Sequence, residues 1–144
     1  MLGIGHRKTV VSVTYQDLIA FAEAVDTSSA SEVALRNAAA RAYYGAYHCA
    51  LEAADSVDFR APLSSFGGSS HQNLRDFWGD VGAGDEFSSE RKSVSYMLRQ
   101  THTIRCMADY NLDEEFNAET LNMHMSLCNR IIEKISTIKE GVGA

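Results

Sequence analysis

Apolar residues recur at three- and four-residue intervals through most of this chain, the period of one face of an α-helix. Thr14, with Asp17 three residues on, has the spacing of an N-cap with an acid in the first turn. Leu18, Phe21, Ala22 and Val25 follow at helical spacing and predict a first helix from about residue 15 to 26. Ser29 and Glu32 have capping-box spacing, which starts a second helix near residue 30 that continues to about 55. Pro62, Ser64, Ser65, Gly67, Gly68, Ser69 and Ser70 then break the period and mark a crossover. His71, Leu74, Arg75, Phe77 and Trp78 suggest a short helix over roughly 71 to 79, with the two aromatics as lids on a bundle. Val94, Met97, Leu98, Thr101, Ile104 and Ala108 give one face of a helix from about 89 to 110. Asn117 caps a last helix from about 118 to 140, whose inward face is Leu121, His124, Cys128, Ile131, Ile132, Ile135 and Ile138, with Gly141 as its stop. Only Thr9 to Val13 alternates like a short extended segment. The prediction is an all-α, up-and-down bundle of about four to five helices over residues 14 to 141, preceded by an N-terminal arm over 1 to 13.

The second helix stands out because its chemistry is confined to a few side chains among alanines. At about 100° per residue, Arg41, Tyr44, Gly45, His48 and Glu52 share one stripe, and Ala40, Tyr43, Tyr47, Ala50 and Ala54 share another. The first carries ionisable groups; the second reads as packing surface. Small residues admit close helix approach and tyrosines add contact area, so this helix is also the predicted interface of a homodimer.

Composition narrows the functional classes. A chain of 144 residues, 45% hydrophobic, fits one core. A net charge of −6 argues against indiscriminate, charge-driven nucleic-acid binding and leaves room for a local basic cleft. Cys49, Cys106 and Cys128 are widely spaced, and their odd number argues against a disulfide framework and for a cytoplasmic setting. His6, Arg7 and Lys8 precede an apolar run too short for a signal-peptide core or a membrane span.

Arg41 and His48 lie two helical turns apart, about 10.5 Å along the axis. A phosphate-bearing ligand can bridge that distance. Histidine titrates near neutrality and can take a proton from a ribose 2′-hydroxyl or give one to a leaving oxygen, while arginine stabilises charge on phosphorus. The same spacing suits a half-buried arginine bonded to helix-end carbonyls and a histidine paired with a tyrosine hydroxyl. Arg105 and Asp109 can pair across one turn, with His102 on the same side, which is either a surface ion pair or a second cation for the cleft. His71 is a cap, a surface group or a further residue of that cleft. Tyr43, Tyr44 and Tyr47 can stack on bases or fill a core. The pairs His102 with Cys106 and His124 with Cys128 are compatible with zinc, but Cys128 belongs to an apolar stripe, and no metal or other cofactor is assigned.

The run Arg41-Ala42-Tyr43-Tyr44-Gly45-Ala46-Tyr47-His48-Cys49-Ala50 resembles the R-A-Y-Y-A-x-F-H-A-A signature of prokaryotic HEPN-domain proteins. His71 with Phe77, and Arg105-Cys106-Met107-Ala108-Asp109-Tyr110, similar to an R-x-x-A-D-Y ending, extend the resemblance over about residues 15 to 138. It implies a HEPN-like bundle that dimerises and a metal-independent ribonuclease of the toxin–antitoxin or phage-defence kind, often beside a nucleotidyltransferase antitoxin. Carried onto this chain, Arg41 and His48 are catalytic, and Tyr44, His71, His102, Arg105 and Asp109 bind RNA or nucleotide. Ala42 stands where such nucleases commonly have a polar residue, and Arg130 of the last helix has no histidine after it. The alternative is a non-catalytic regulatory module that binds a nucleotide or a partner protein.

Overall fold

The computed structural model describes residues 12–54, 56, 62–82 and 84–143. Five α-helices follow one another: α1 Tyr15–Glu23, α2 Glu32–Ala53, α3 Ser70–Gly79, α4 Ser88–Tyr110 and α5 Ala118–Gly143, with a 3-10 turn at Leu63–Ser65. No strand occurs among the described residues, and none of their helices is long and apolar enough to cross a membrane. The N-terminal arm, with the extended segment expected over Thr9 to Val13, lies almost wholly outside the described residues.

The central element is α2, which packs against α1, α4 and α5, while α3 rests chiefly on α4. Ala38, Ala39, Ala42, Ala46 and Ala50 are fully buried, so the alanines draw the neighbouring helices close. They are therefore used within the chain, which corrects their assignment to a dimer interface. The predicted faces of α4 and α5 are buried as expected, apart from a half-buried Ile132.

Several local expectations change for identifiable reasons. Thr14 caps α1 as expected, and Asp17 returns a bond that completes a capping box, but α1 ends at Glu23, and its buried residues are Ile19 and Ala22 while Phe21 is 54% exposed. Ile19 sits over Gly45, where a Cβ would be 2.7 Å from its side chain, so Gly45 belongs to packing and not to the polar stripe. Ser31, not Ser29, caps α2, because the Ser28 and Ser29 hydroxyls donate to Asp26 in the preceding turn. Asn117 accepts from the Thr120 amide as predicted, yet α5 runs through Gly141, whose missing side chain accommodates the Phe87 ring. Phe77 and Trp78 are core residues at 0% exposure rather than lids.

Two buried arginines fasten helix ends. Nη1 of Arg36 donates to the carbonyls of Met107, Ala108 and Asn111 at 3.2, 2.9 and 3.2 Å, and Nη2 donates to that of Glu114. Arg36 thereby satisfies the Ala108 carbonyl and adds to the bonds that the Met107 and Asn111 carbonyls accept from the Asn111 and Glu114 amides. Glu32 holds this guanidinium through Nε at 3.0 Å and also accepts from the Phe116 amide. Arg91 performs a similar task at the end of α3, donating to the carbonyls of Phe77 and Asp80.

Candidate functional site

The chemistry-bearing side chains of α2 meet those of α3 and α4 in one cluster. Arg41, Tyr44 and His48 occupy successive turns of α2, and Tyr43 and Tyr47 point toward α3. Helical spacing on α4 similarly stacks His102, Arg105 and Asp109 on one side.

Tyr44 is the hub. The Arg41 guanidinium lies 5.7 Å and that of Arg105 5.2 Å from its ring centroid, both within cation–π range. Nε of Arg105 donates to Asp109 Oδ2 at 2.8 Å, and Nη2 reaches the Tyr110 hydroxyl at 3.4 Å. Nε of Arg41 is buried without a hydrogen-bond partner among the described residues.

Behind Tyr44 the rings continue into an imidazole pair. His71 and His102 stack with centroids 4.5 Å apart, and both contact Tyr43 at 5.6 Å. The Tyr43 hydroxyl lies 2.7 Å from His71 Nδ1, which fixes the His71 ring. His48 stands at the exposed rim against Tyr47 and Tyr44, at 5.3 and 6.4 Å.

Burial, with the charges of Arg105 and Arg75, pushes the His71 pKa below the usual histidine value. Burial does the same to His102, assisted by His71, Arg75 and Arg105. For Tyr43, burial and then its tyrosine neighbours raise the phenol well above its ordinary range and keep it protonated. Burial works against the charge of Arg105, but Tyr44, Asp109 and Tyr110 outweigh it and hold its pKa above the ordinary value. At neutral pH the cluster thus combines the neutral imidazoles of His71 and His102 with the guanidiniums of Arg41, Arg75 and Arg105 and the carboxylate of Asp109.

All seven residues singled out from sequence, Arg41, Tyr44, His48, His71, His102, Arg105 and Asp109, fall in or beside this cluster. Sequence reasoning missed the part played by Tyr43, whose position on the packing stripe concealed its bond to His71, and the electrostatic contribution of Arg75, one turn after His71. The two histidine–cysteine pairs do not join. His102 Nε2 lies 3.6 Å from Cys106 Sγ in the cluster, whereas His124 is in the core, donating to the Ala39 carbonyl at 2.9 Å. Among the described residues no three His, Cys, Asp or Glu side chains are placed to share a metal ion. A cavity of about 170 Å³ between α1, α2 and α5, lined by Tyr15, Cys49, Glu52 and Lys139, contains none of the seven residues. Compared with known proteins, the chain is matched by no family model, no curated protein and no solved structure.

Proposed function

We propose that this chain is a HEPN-like helical bundle that acts on RNA as a metal-independent ribonuclease, with its phosphate-binding centre at Tyr44. The observation that carries this reading is the convergence of Arg41 and Arg105 on one tyrosine, with Nε of Arg41 buried and unpartnered. A phosphate oxygen can accept from the outer N–H groups of these two half-buried guanidiniums, and the half-buried Tyr44 ring between them gives a base an aromatic neighbour. His48, one turn from Tyr44 at the rim, is the proton-transfer group of the reading. In this proposal the active species is a homodimer in the cytoplasm, partnered by a nucleotidyltransferase antitoxin.

The test is cleavage of a mixed RNA pool in EDTA by the wild-type protein and by His48→Ala. Cyclic phosphate ends produced by the wild type and lost in the variant support the ribonuclease.

One observation favours a second reading, a non-catalytic module that binds RNA or a nucleotide. His48 makes no hydrogen bond among the described residues, whereas acid–base histidines are commonly oriented by a partner. Tight RNA binding by both proteins without cleavage selects this second reading.

A further inference from the structure

Cleavage of RNA by its own 2′-hydroxyl requires two proton transfers, one from the attacking oxygen and one to the departing 5′-oxygen. His48 can perform one of them. The cluster contains a second imidazole with the geometry for the other. Its Nδ1 is held at 2.7 Å by the Tyr43 hydroxyl. Its ring lies 6.2 Å from Tyr44 and 5.1 Å from Tyr47, the same two rings that flank His48 at 6.4 and 5.3 Å. A nucleotide on Tyr44 therefore has two imidazoles within reach of the same pair of rings.

Resting on the ribonuclease reading, we propose that His71 is a further catalytic residue, the general base that complements His48 as general acid. In the tautomer whose Nδ1–H donates to the Tyr43 oxygen, Nε2 of His71 carries the lone pair, and the Tyr43 bond survives when Nε2 is protonated. His71 takes the 2′-hydroxyl proton as the 2′-oxygen bonds to phosphorus. The bond from phosphorus to the 5′-oxygen breaks, and His48 delivers a proton to that oxygen. The products are a 2′,3′-cyclic phosphate and a 5′-hydroxyl, and the net transfer is one proton from His48 to His71. Burial, assisted by Arg105 and Arg75, favours the unprotonated form of His71. Tyr43 is a positioning residue, since it acts only through His71.

The test uses two versions of one short RNA, the ordinary substrate and one with sulfur in place of the bridging 5′-oxygen. A thiolate departs without needing an acid. On the oxygen substrate, His48→Ala and His71→Asn should each lose about 100-fold or more in rate. The asparagine retains a polar group to meet Tyr43. On the sulfur substrate His48→Ala should recover toward the wild-type rate, and His71→Asn should not. A wild-type rate for His71→Asn on the oxygen substrate, or its rescue by sulfur, overturns the assignment and leaves the ribonuclease standing. A wild-type protein that cleaves neither substrate removes the ribonuclease and this assignment with it. The wild type alone supplies an independent check: its rate on the sulfur substrate should rise with pH to a plateau with a midpoint below the ordinary histidine value of 6.5. A flat profile overturns the proposal.

Discussion

The Arg105 guanidinium lies 5.2 Å over the Tyr44 ring while its Nε is held by Asp109, so one cation is positioned from two sides by residues of different helices. Asp109 is 30% exposed in its side chain, and the pair itself adds little to stability. Its value lies in orientation.

Arg105→Gln should therefore leave the fold intact and weaken RNA binding about 10- to 100-fold, the range for losing one charge-assisted contact. Arg41→Gln should act in the same direction. Fluorescence anisotropy with a labelled single-stranded RNA, repeated over a salt series, measures both. Each variant should flatten the salt dependence relative to the wild type, because fewer counterions are displaced. Undiminished affinity in both variants would remove Tyr44 and its cations as the phosphate centre.

Arg36 makes a contrasting case, since its donors are consumed inside the protein. Arg36→Ala takes the guanidinium from four carbonyls around the end of α4, those of Ala108 and Glu114 keeping no other donor among the described residues, and should lower the unfolding free energy by about 3 kcal/mol. Urea denaturation followed by circular dichroism measures this. A change below about 0.5 kcal/mol, the scale of an ordinary surface substitution, would mean that water replaces the guanidinium at no cost.

His124 predicts a pH dependence of stability. Its ring is 0% exposed, Nε2–H donates to the Ala39 carbonyl, and Nδ1 has no partner. Burial pushes its pKa down from 6.5 to about 4. Above 6.5 the residue is neutral both folded and unfolded and imposes no acid penalty. As pH falls below that value the unfolded chain takes up a proton that the folded chain refuses, so stability is lost progressively until about pH 4. The loss from this residue should reach about 2 kcal/mol by pH 5. Urea melts of the wild type and His124→Leu at pH 7 and pH 5 isolate it, the variant showing a smaller drop. Equal drops would assign the acid sensitivity elsewhere.

Gly45→Ala tests the contact between α1 and α2. Alanine favours the helix by about 1 kcal/mol, but its Cβ would meet two Ile19 carbons at 2.7 Å and the Tyr15 carbonyl oxygen at 3.2 Å. Overpacking of this kind costs about 1–3 kcal/mol, so the substitution should destabilise. Adding Ile19→Val should recover part of the loss by shortening the opposing side chain. A rise in the thermal midpoint for Gly45→Ala alone would show that α1 moves away without penalty.

The sequence reading captured what periodicity encodes. The α4 and α5 faces, the Thr14 N-cap and the Asn117 cap are legible as local patterns, whereas the capping box expected at Ser29 and Glu32 gives way to Ser31. Burial of Phe77 and Trp78 was not legible, because it depends on how α3 settles on α4. The expected motif of an arginine bonded to helix-end carbonyls does occur, at Arg36 instead of Arg41. The expected histidine paired with a tyrosine also occurs, at His71 instead of His48. In both cases the residue types were apparent, while the partner came from a distant helix that spacing along one chain segment does not identify. For the candidate site, the α2 and α4 residues were legible from their helical stripes, but the junction at Tyr43 and His71 spans 28 residues and emerges only in three dimensions.

The Arg36 clamp also has a mechanical consequence. It joins the first turns of α2 to the final turn of α4, a little over one turn before Arg41 and just beyond Arg105. A slip of one residue between these helices would translate one cation past the other by about 1.5 Å and would first have to break the clamp. The spacing of Arg41 and Arg105 is thus set by a structural brace outside the site. His71 rides on α3, which Arg91 fastens to α4 and the Trp78 indole ties to the Ala50 carbonyl of α2, so the oriented imidazole is mounted on the same two helices that carry the cations.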